Sequence, residues 1–150
     1  MDNPKGKNDM EVLLGEDSPN DAELTTHALS SIVGKIYWVK DGEEALEFIF
    51  ATGRYATRDI DSHPKVILLD LKLPKVNGLQ VLAKIKGDER TKAIPVVVVT
   101  SSQEESDLEE AYRLGVNGYI VKPIESGSFI KAVGDAGIYW TATNKLPASE

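Results

Sequence analysis

The sequence predicts an α/β domain in which a five-stranded parallel sheet carries helices on both faces. Five short apolar runs alternate along the chain with five segments of helical periodicity, which is the pattern of successive βαβ units wound right-handedly. Several of these runs stop at a charged or hydroxyl residue, most clearly at Asp70. With 150 residues, the chain suits one domain that holds a real hydrophobic core.

The predicted strands lie at residues 12–14, 36–39, 66–69, 95–100 and 119–121. The β-branched run at 95–100 favours a strand that is buried on both faces, as in a parallel sheet. In an open parallel sheet, ligands bind beyond the carboxyl ends of the strands, because the crossover connections open a crevice there. The candidate functional residues therefore follow or end the strands: Glu16, Asp17, Asp70, Thr100 and Lys122.

Local signals predict where the helices begin and which face packs on the sheet. The predicted starts are Ser18 followed by Pro19, capping boxes at Asp41 with Glu44 and at Ser102 with Glu105, the Asn77-Gly78 pair, and about residue 126; Gly53, Gly115 and Trp140 mark predicted ends. The predicted inward-facing residues are, helix by helix, Leu24, Ala28 and Ile32; Leu46, Ile49 and Phe50; Leu79, Leu82 and Ile85; Leu108, Ala111 and Tyr112; and Phe129, Val133 and Trp140.

Composition excludes several classes of protein. A net charge of -7, from 17 basic and 24 acidic residues, argues against a nucleic-acid surface. The chain has no cysteine and two well-separated histidines, so any metal should be bound through oxygen, and Mg²⁺ is the natural candidate. No apolar run approaches the ~18 residues of a membrane span. These features predict a soluble, cytoplasmic protein.

The chain should comprise a disordered N-terminal tail at residues 1–9, one domain at 10–142 and a C-terminal tail at 143–150. The stretch 54–65 has no periodicity and makes the connection into the third strand longer than is usual in such folds. After Trp140 too few residues remain for an effector domain, so we expect the chain to act through protein partners.

Pairing of the first and third strands would bring the carboxylates of Glu16, Asp17 and Asp70 close together. Two like charges about 4 Å apart cost on the order of 4 kcal/mol at an effective dielectric near 20, so this cluster needs a cation. Lys122 can supply a positive charge opposite a bound Mg²⁺, and Thr100 can donate from its hydroxyl. Together these groups predict an electrostatic mould for a phosphoryl group on Asp70.

The chain resembles the receiver domains of response regulators in two-component signalling, over about residues 11–140. The resemblance rests on motifs spread along the chain: Leu13-Leu14 before Glu16-Asp17, residues 39–46, Leu69-Asp70-Leu71-Lys72-Leu73-Pro74 with Gly78, Ile94-Pro95 to Thr100-Ser101, and residues 115–119 to Lys122-Pro123. It implies the CheY-like, flavodoxin-like strand order 2-1-3-4-5.

By this resemblance, Asp70 is the phosphoacceptor, Glu16 and Asp17 are the acidic metal pair, and the backbone carbonyl of Lys72 is a further metal ligand. Mn²⁺ is expected to substitute for Mg²⁺. The resemblance also implies that Thr100 is the switch hydroxyl, that Tyr119 is the switch aromatic and that Lys122 is the lysine of the phosphorylation site. The family also usually has a cis bond before the proline of Lys122-Pro123. It more often has a branched apolar residue where this chain has Gly15, and the glycine could loosen the end of the first strand.

Three alternative functions fit the sequence less well. An aspartyl-phosphate hydrolase of the haloacid-dehalogenase type needs a second Asp two residues after the first, where this chain has Lys72. A flavodoxin-like electron carrier needs a Gly- and Ser/Thr-rich phosphate loop, where this chain has Glu16-Asp17-Ser18-Pro19. A pseudo-receiver that never accepts phosphate is disfavoured by the intact Asp70, Thr100 and Lys122.

A finer resemblance concerns partners. Residues 21–24, the long 54–65 loop and the tail after Trp140 resemble the small stand-alone regulators encoded with bacterial phytochrome-type histidine kinases. The expected partner is thus a sensor histidine kinase, of the phytochrome type by this finer resemblance, or a histidine phosphotransfer protein. Ile138, Tyr139 and Trp140 cannot all point inward from one helix, so exposed apolar area there predicts a homodimer through the fourth helix, fifth strand and fifth helix.

Overall fold

The computed structural model describes residues 12–31, 33–122 and 127–145, without the side chains of residues 127–130. Its five strands are β1 (Val12–Gly15), β2 (Ile36–Val39), β3 (Val66–Leu69), β4 (Val96–Thr100) and β5 (Gly118–Val121). All neighbouring strands are parallel, and the order across the sheet is β2-β1-β3-β4-β5. The predicted fold class and strand order are therefore confirmed.

The strands alternate with α1 (Pro19–Leu29), α2 (Gly42–Phe50), α3 (Gly78–Lys86), α4 (Glu105–Arg113) and α5 (Gly127–Ile138). A single 3₁₀ turn (Gly53–Tyr55) follows α2, and a π-helical turn (Tyr139–Thr143) continues α5. Within the described ranges, none of the helices has both the length and the apolar character needed to cross a bilayer. The predicted N-terminal tail, Ile32 and residues 146–150 of the predicted C-terminal tail fall outside these ranges.

Two hydrophobic layers cover the two faces of the sheet, because successive side chains of a strand point to opposite faces. One layer joins Phe48 of α2, Leu82 of α3 and Ala111 of α4 to strand residues such as Leu13 and Ile67. The other layer joins the remaining helices to the opposite face: Ala22 and Leu29 of α1 and Val133 of α5 pack with Val12, Leu14, Val66 and Leu68. The doubly wound arrangement thus holds every strand end at one edge.

The predicted inner face of α1 was wrong by about one residue, and that of α2 was right at Ile49 only. In α1 the buried residues are Ala22, Thr25 and Leu29, whereas Leu24 and Ala28 are half-buried. In α2 the buried side chains are Ala45, Phe48 and Ile49, with Leu46 and Phe50 half-buried at the margin. Ala22, Thr25 and Ala45 are small or polar, and hydropathy alone does not mark such residues as inward-facing.

Several details around α3 and α4 also differ from expectation. Leu82 and Ile85 are buried as predicted, but Val81 takes the place of Leu79. Ala111 is buried in α4, while Leu108 is half-buried and Tyr112 is 53% exposed. The capping box at Ser102 with Glu105 is not formed, because α4 begins after Glu104 without a side-chain cap. The end of α2 is set by Ala51, which has a φ of 58°, rather than by Gly53.

Gly78 fixes α3 against the loop that carries Asp70. A Cβ atom at this position would lie 2.3 Å from the Asp70 carbonyl oxygen, so the helix can approach the loop only with glycine here. The Gly78 amide donates to the Leu71 carbonyl at 2.8 Å, and Asn77 caps the helix in a capping box with Gln80. The Asn-Gly pair in the sequence therefore anchors the backbone that follows β3.

Gly15 does not loosen β1. The residue is paired with Val39 on one side and with Leu69 on the other. A Cβ atom here would lie 3.1 Å from Leu69 Cδ1 and 3.5 Å from Leu73 Cδ1. The two leucine side chains thus occupy the space that a branched residue would take, and the strand continues to the acidic pair.

Candidate functional site

The carboxyl ends of β1, β3 and β5 bring Glu16, Asp70 and Lys122 together. The strand ends are held in register by backbone hydrogen bonds: the Asp70 amide donates to the Gly15 carbonyl at 3.0 Å, and the Lys122 amide donates to the Thr100 carbonyl at 2.9 Å. Residues from distant parts of the chain therefore meet at one edge of the sheet, as the sequence predicts.

Glu16, Asp17 and Asp70 form a compact carboxylate cluster. Each can offer an oxygen atom that lies within 4.8 Å of those of the other two. Glu16 is 2% exposed and Asp70 is 6% exposed, whereas Asp17 faces solvent. A set of hard oxygen ligands with one open side fits Mg²⁺ or Mn²⁺, which retain water molecules in their coordination shell.

The raised pKa of Glu16 shows that a negative charge is unfavourable at this buried position. Burial, with a smaller contribution from the negative charge of Asp70, raises the pKa of Glu16 to about 7, although the hydrogen bond from Lys122 opposes the shift. The carboxylate is also held in place by the Ser18 amide, which donates to Oε2 at 3.1 Å. The backbone carbonyl oxygen of Glu16 accepts from Trp38 Nε1 at 2.6 Å. Glu16 is therefore a fixed side chain with an unfavourable buried charge.

Lys122 is the cation of this site. Its Nζ donates to Asp21 Oδ2 at 2.8 Å, to Glu16 Oε1 at 3.0 Å and to Asp70 Oδ2 at 3.0 Å. Burial disfavours the charged form of this side chain, which is 8% exposed, but the bonds to Asp21 and Glu16 and the charge of Asp70 outweigh it and raise the pKa. Lys122 thus stays an ammonium with one carboxylate for each of its three protons.

Asp21 also belongs to the site, a role that the sequence pattern did not predict for this residue of the first turn of α1. It is the third residue of the helix, and its amide donates to Ser18 Oγ at 3.2 Å. Side chains in the first turn of this helix lie above the strand ends, because α1 starts directly after β1. An acidic residue three positions into a helix that follows an acidic strand end was the signal that could have indicated this role.

Thr100 and Tyr119 are connected through one residue. Thr100 is fully buried, and its Oγ1 accepts from the Ser102 amide at 3.3 Å. Tyr119 is half-buried on β5, and its hydroxyl donates to the Ser102 carbonyl at 3.2 Å. Because β4 lies between β3 and β5, Thr100 ends the strand between those that position Asp70 and Lys122. The peptide groups of Ser102 therefore join the two predicted switch residues.

Two further sequence predictions concern the backbone around the site. The Lys72 side chain is exposed, and its amide donates to Asp70 Oδ1 at 3.1 Å, so this residue contacts the site through its main chain. The carbonyl oxygen of Lys72 stays a predicted metal ligand. The predicted cis bond lies outside the described residues, because Pro123 is not among them.

The fold and the site define a doubly wound α/β protein with an acidic, lysine-containing site at the carboxyl edge of its sheet. A family model for the response regulator receiver domain matches residues 12–134. The chain therefore belongs to the response regulator receiver domain family. This membership decides against the phosphatase and the flavodoxin-like carrier.

Individual relatives support the same family. The chain is 39% identical over 138 residues to the probable methanogenesis regulatory protein FilR2 of Methanothrix harundinacea, covering 91% of this chain and 86% of that protein. It is 39% identical over 140 residues to the response regulator Rcp1 of Synechocystis sp., covering 92% and 93%.

Solved structures agree in fold and in chain length. The Mn²⁺-bound form of Rcp1 is 37% identical, with a TM-score of 0.81 over 93% of this chain and 99% of that one. The phosphorylated form of RcpA, a cyanobacterial phytochrome response regulator, is 38% identical, with a TM-score of 0.84 over the same shares.

Proposed function

We propose that this chain accepts a phosphoryl group on Asp70 from a sensor histidine kinase or a histidine phosphotransfer protein. Phosphorylation then changes its contacts with other proteins. The observation that carries this proposal is the position of the Asp70 carboxylate, which has an oxygen within 4.8 Å of oxygens of Glu16 and Asp17 and accepts from the Lys122 ammonium at 3.0 Å. The family consists of signalling modules rather than turnover enzymes, and we assign no enzymatic role beyond self-phosphorylation from a phosphodonor and self-dephosphorylation.

The chemistry follows from the charges around Asp70. One carboxylate oxygen attacks the phosphorus atom, the bond from phosphorus to the donor's leaving atom breaks, and an acyl phosphate forms on Asp70. Glu16, Asp17, Asp70 and the Lys72 carbonyl would hold a divalent cation, which neutralises charge on the transferred group. Lys122 compensates further negative charge, and the Thr100 hydroxyl can donate to a phosphoryl oxygen.

Phosphorylation is tested by the intact mass of the protein after incubation with acetyl phosphate. We expect a gain of one phosphoryl group with Mg²⁺ or Mn²⁺, and at least a ~100-fold lower rate in excess chelator, because the charge on the transferred group is then uncompensated. Asp70→Asn keeps the side-chain size and should take no label. Equal labelling of Asp70→Asn, or full labelling in chelator, would contradict the proposal, and wild type that gains no mass would favour a pseudo-receiver.

The proposed switch uses the connection between Thr100 and Tyr119. A phosphoryl group on Asp70 offers Thr100 a stronger acceptor, and movement of its hydroxyl toward that group displaces the Ser102 amide bonded to it. The Ser102 carbonyl moves with the same residue, which releases the Tyr119 hydroxyl. The surface of α4, β5 and α5 then differs between the two states, and a partner that binds one state better reads the difference.

The switch is tested by amide NMR spectra with and without beryllofluoride, which mimics the phosphoryl group. Amide signals of α4 and β5, such as those of Ala111 and Tyr119, should shift when the mimic binds. Thr100→Ala should bind the mimic but show much smaller shifts, because the link to Ser102 is lost. Identical wild-type spectra in the two states would show that the site at Asp70 is not coupled to α4 and β5.

We also propose a homodimer that forms through α4, β5 and the end of α5. Among the described residues, the exposed large apolar side chains all lie on or next to these elements: Tyr112, Val121, Ile138 and Tyr139. Ile138 is 46% and Tyr139 is 48% exposed, while Trp140 packs partly on the layer between α1 and α5. An apolar face of this kind is typical of an interface between two-fold related copies.

Light scattering of the full chain tests the dimer. Wild type should have the mass of a dimer at tens of micromolar, and the double variant Ile138→Ser with Tyr139→Ser should be a monomer with unchanged far-UV circular dichroism. Lys84→Ser, a change of an exposed residue on α3, should stay dimeric. A wild-type monomer at these concentrations would leave the dimer without support.

The nature of the kinase rests on relatives alone. RcpA is a cyanobacterial phytochrome response regulator, and this similarity supports a phytochrome-type histidine kinase as partner. The predicted cytoplasmic location and the predicted lack of nucleic-acid binding belong to the same proposal.

A further inference from the structure

Lys122 has one carboxylate partner that is not part of the carboxylate cluster. Asp21 Oδ2 lies 2.8 Å from Nζ, closer than Glu16 or Asp70. Asp21 comes from the first turn of α1 and its side chain is 25% exposed. The ammonium is therefore held at the solvent side by a group that the proposed cation does not need.

The oxygens that Lys122 occupies are the ones that a cation would need. Glu16 uses Oε2 to accept from the Ser18 amide and Oε1 to accept from Lys122. Asp70 uses Oδ1 to accept from the Lys72 amide and Oδ2 to accept from Lys122. In both residues the backbone amide and the ammonium each take one oxygen, so a divalent cation bound to these carboxylates would share them with the ammonium.

A cation and an ammonium that share these oxygens also repel each other. If Lys122 had no partner outside the cluster, uptake of a cation would leave a buried ammonium with weakened bonds, which is costly. Asp21 provides such a partner, and its negative charge additionally favours a cation nearby. Both effects of Asp21 therefore raise the affinity of the site for a divalent cation.

We propose that Asp21 is a positioning residue that retains the Lys122 ammonium at the edge of the site and so allows Glu16 and Asp70 to bind a divalent cation. The inference deepens the proposed function and rests on it for its role in signalling. Cation binding can be measured without phosphate, so the two can fail separately.

Isothermal titration of the full chain with Mg²⁺ tests the role of Asp21. Asp21→Asn should raise the Kd about three- to tenfold, the range expected when one partly exposed charge near a cation is removed. Asp21→Glu should restore the Kd to within about twofold of wild type, because the carboxylate can still reach Lys122. Asp21→Ser provides a second neutral side chain that suits the first turn of a helix.

Glu23→Gln is the matched control. It removes one negative charge from an exposed position of the same helix, and the Kd should stay within about twofold of wild type. A Kd for both Asp21→Asn and Asp21→Ser within twofold of wild type would overturn the inference. An equal rise in Glu23→Gln would also overturn it, because the effect would then be one of net charge.

Labelling by acetyl phosphate separates this inference from the proposed function. Asp21→Asn should be labelled more slowly than wild type at limiting Mg²⁺ and should regain the wild-type rate at saturating Mg²⁺. Labelling that stays slow at saturation would contradict a role through cation binding. Wild type that takes no label overturns the proposed function, whereas an unchanged Kd with normal wild-type labelling overturns this inference alone.

Discussion

Lys122→Met should lower the free energy of unfolding of the metal-free protein by about 3 kcal/mol at pH 8, because it leaves buried carboxylates without their cation. Glu16 and Asp70 are nearly inaccessible to water, and the hydrogen bond and the charge of Lys122 oppose the rise that burial causes in the pKa of Glu16. Without the ammonium the pKa of Glu16 should rise further, and the buried carboxylate has no cation to compensate its charge. Urea unfolding followed by circular dichroism measures the loss.

The same variant should bind Mg²⁺ more tightly, with a Kd at least about tenfold lower, because the ammonium no longer repels a cation bound to the same carboxylates. Saturating Mg²⁺ should therefore recover much of the lost stability. The matched control is Lys131→Met, which removes an exposed i,i+4 ion pair with Asp135 on α5 and should change stability by no more than about 0.5 kcal/mol. Equal losses in the two variants, or weaker Mg²⁺ binding by Lys122→Met, would contradict this account of the site.

Phe48→Ala should destabilise the protein by about 3–5 kcal/mol, the usual cost of removing a fully buried aromatic side chain. Phe48 is 1% exposed, and its ring centroid lies 4.7 Å from that of Tyr37 and 5.0 Å from that of Tyr55. The Arg58 guanidinium lies 3.9 Å from the ring centroid. The ring thus joins β2 and α2 to the long connection that precedes β3. Urea unfolding gives the size of the loss.

Proteolysis of the connection between α2 and β3 gives a second measurement of the role of Phe48. Arg58 also donates to the Phe48 carbonyl and, at 2.8 Å, to the Ser62 carbonyl, so loss of the ring weakens one of several contacts that hold residues 53–62. Trypsin should cleave Phe48→Ala after Arg54 or Arg58 faster than wild type. The control is Phe50→Ala on the same helix, where the side chain is half-buried and the cost should be less than half as large. Equal costs would contradict a central role for Phe48.

Local sequence patterns were sufficient to predict the helices and strands, but not the exact contacts of individual side chains. Ser102 shows the difference: its spacing to Glu105 matches a capping box, yet its Oγ donates to Asp107 Oδ2 at 2.6 Å and accepts from the Glu104 amide at 3.3 Å. The backbone of Ser102 instead joins Thr100 and Tyr119. A tertiary contact with Tyr119 and a nearby carboxylate outweighed the local preference, which is worth about 1 kcal/mol.

The sequence by itself determined the five strands, their order through the family resemblance, and the residues Glu16, Asp17, Asp70, Thr100 and Lys122 at the edge of the sheet. These follow from local information, because a polar residue that ends an apolar run must lie at the end of its strand. Tertiary structure alone decided that Asp21 contacts Lys122 and that Tyr112 of α4, which the sequence places on an inner face, is exposed. Such contacts depend on how helices dock on the sheet, and residues about 100 positions apart leave no local pattern that records the direction of their side chains.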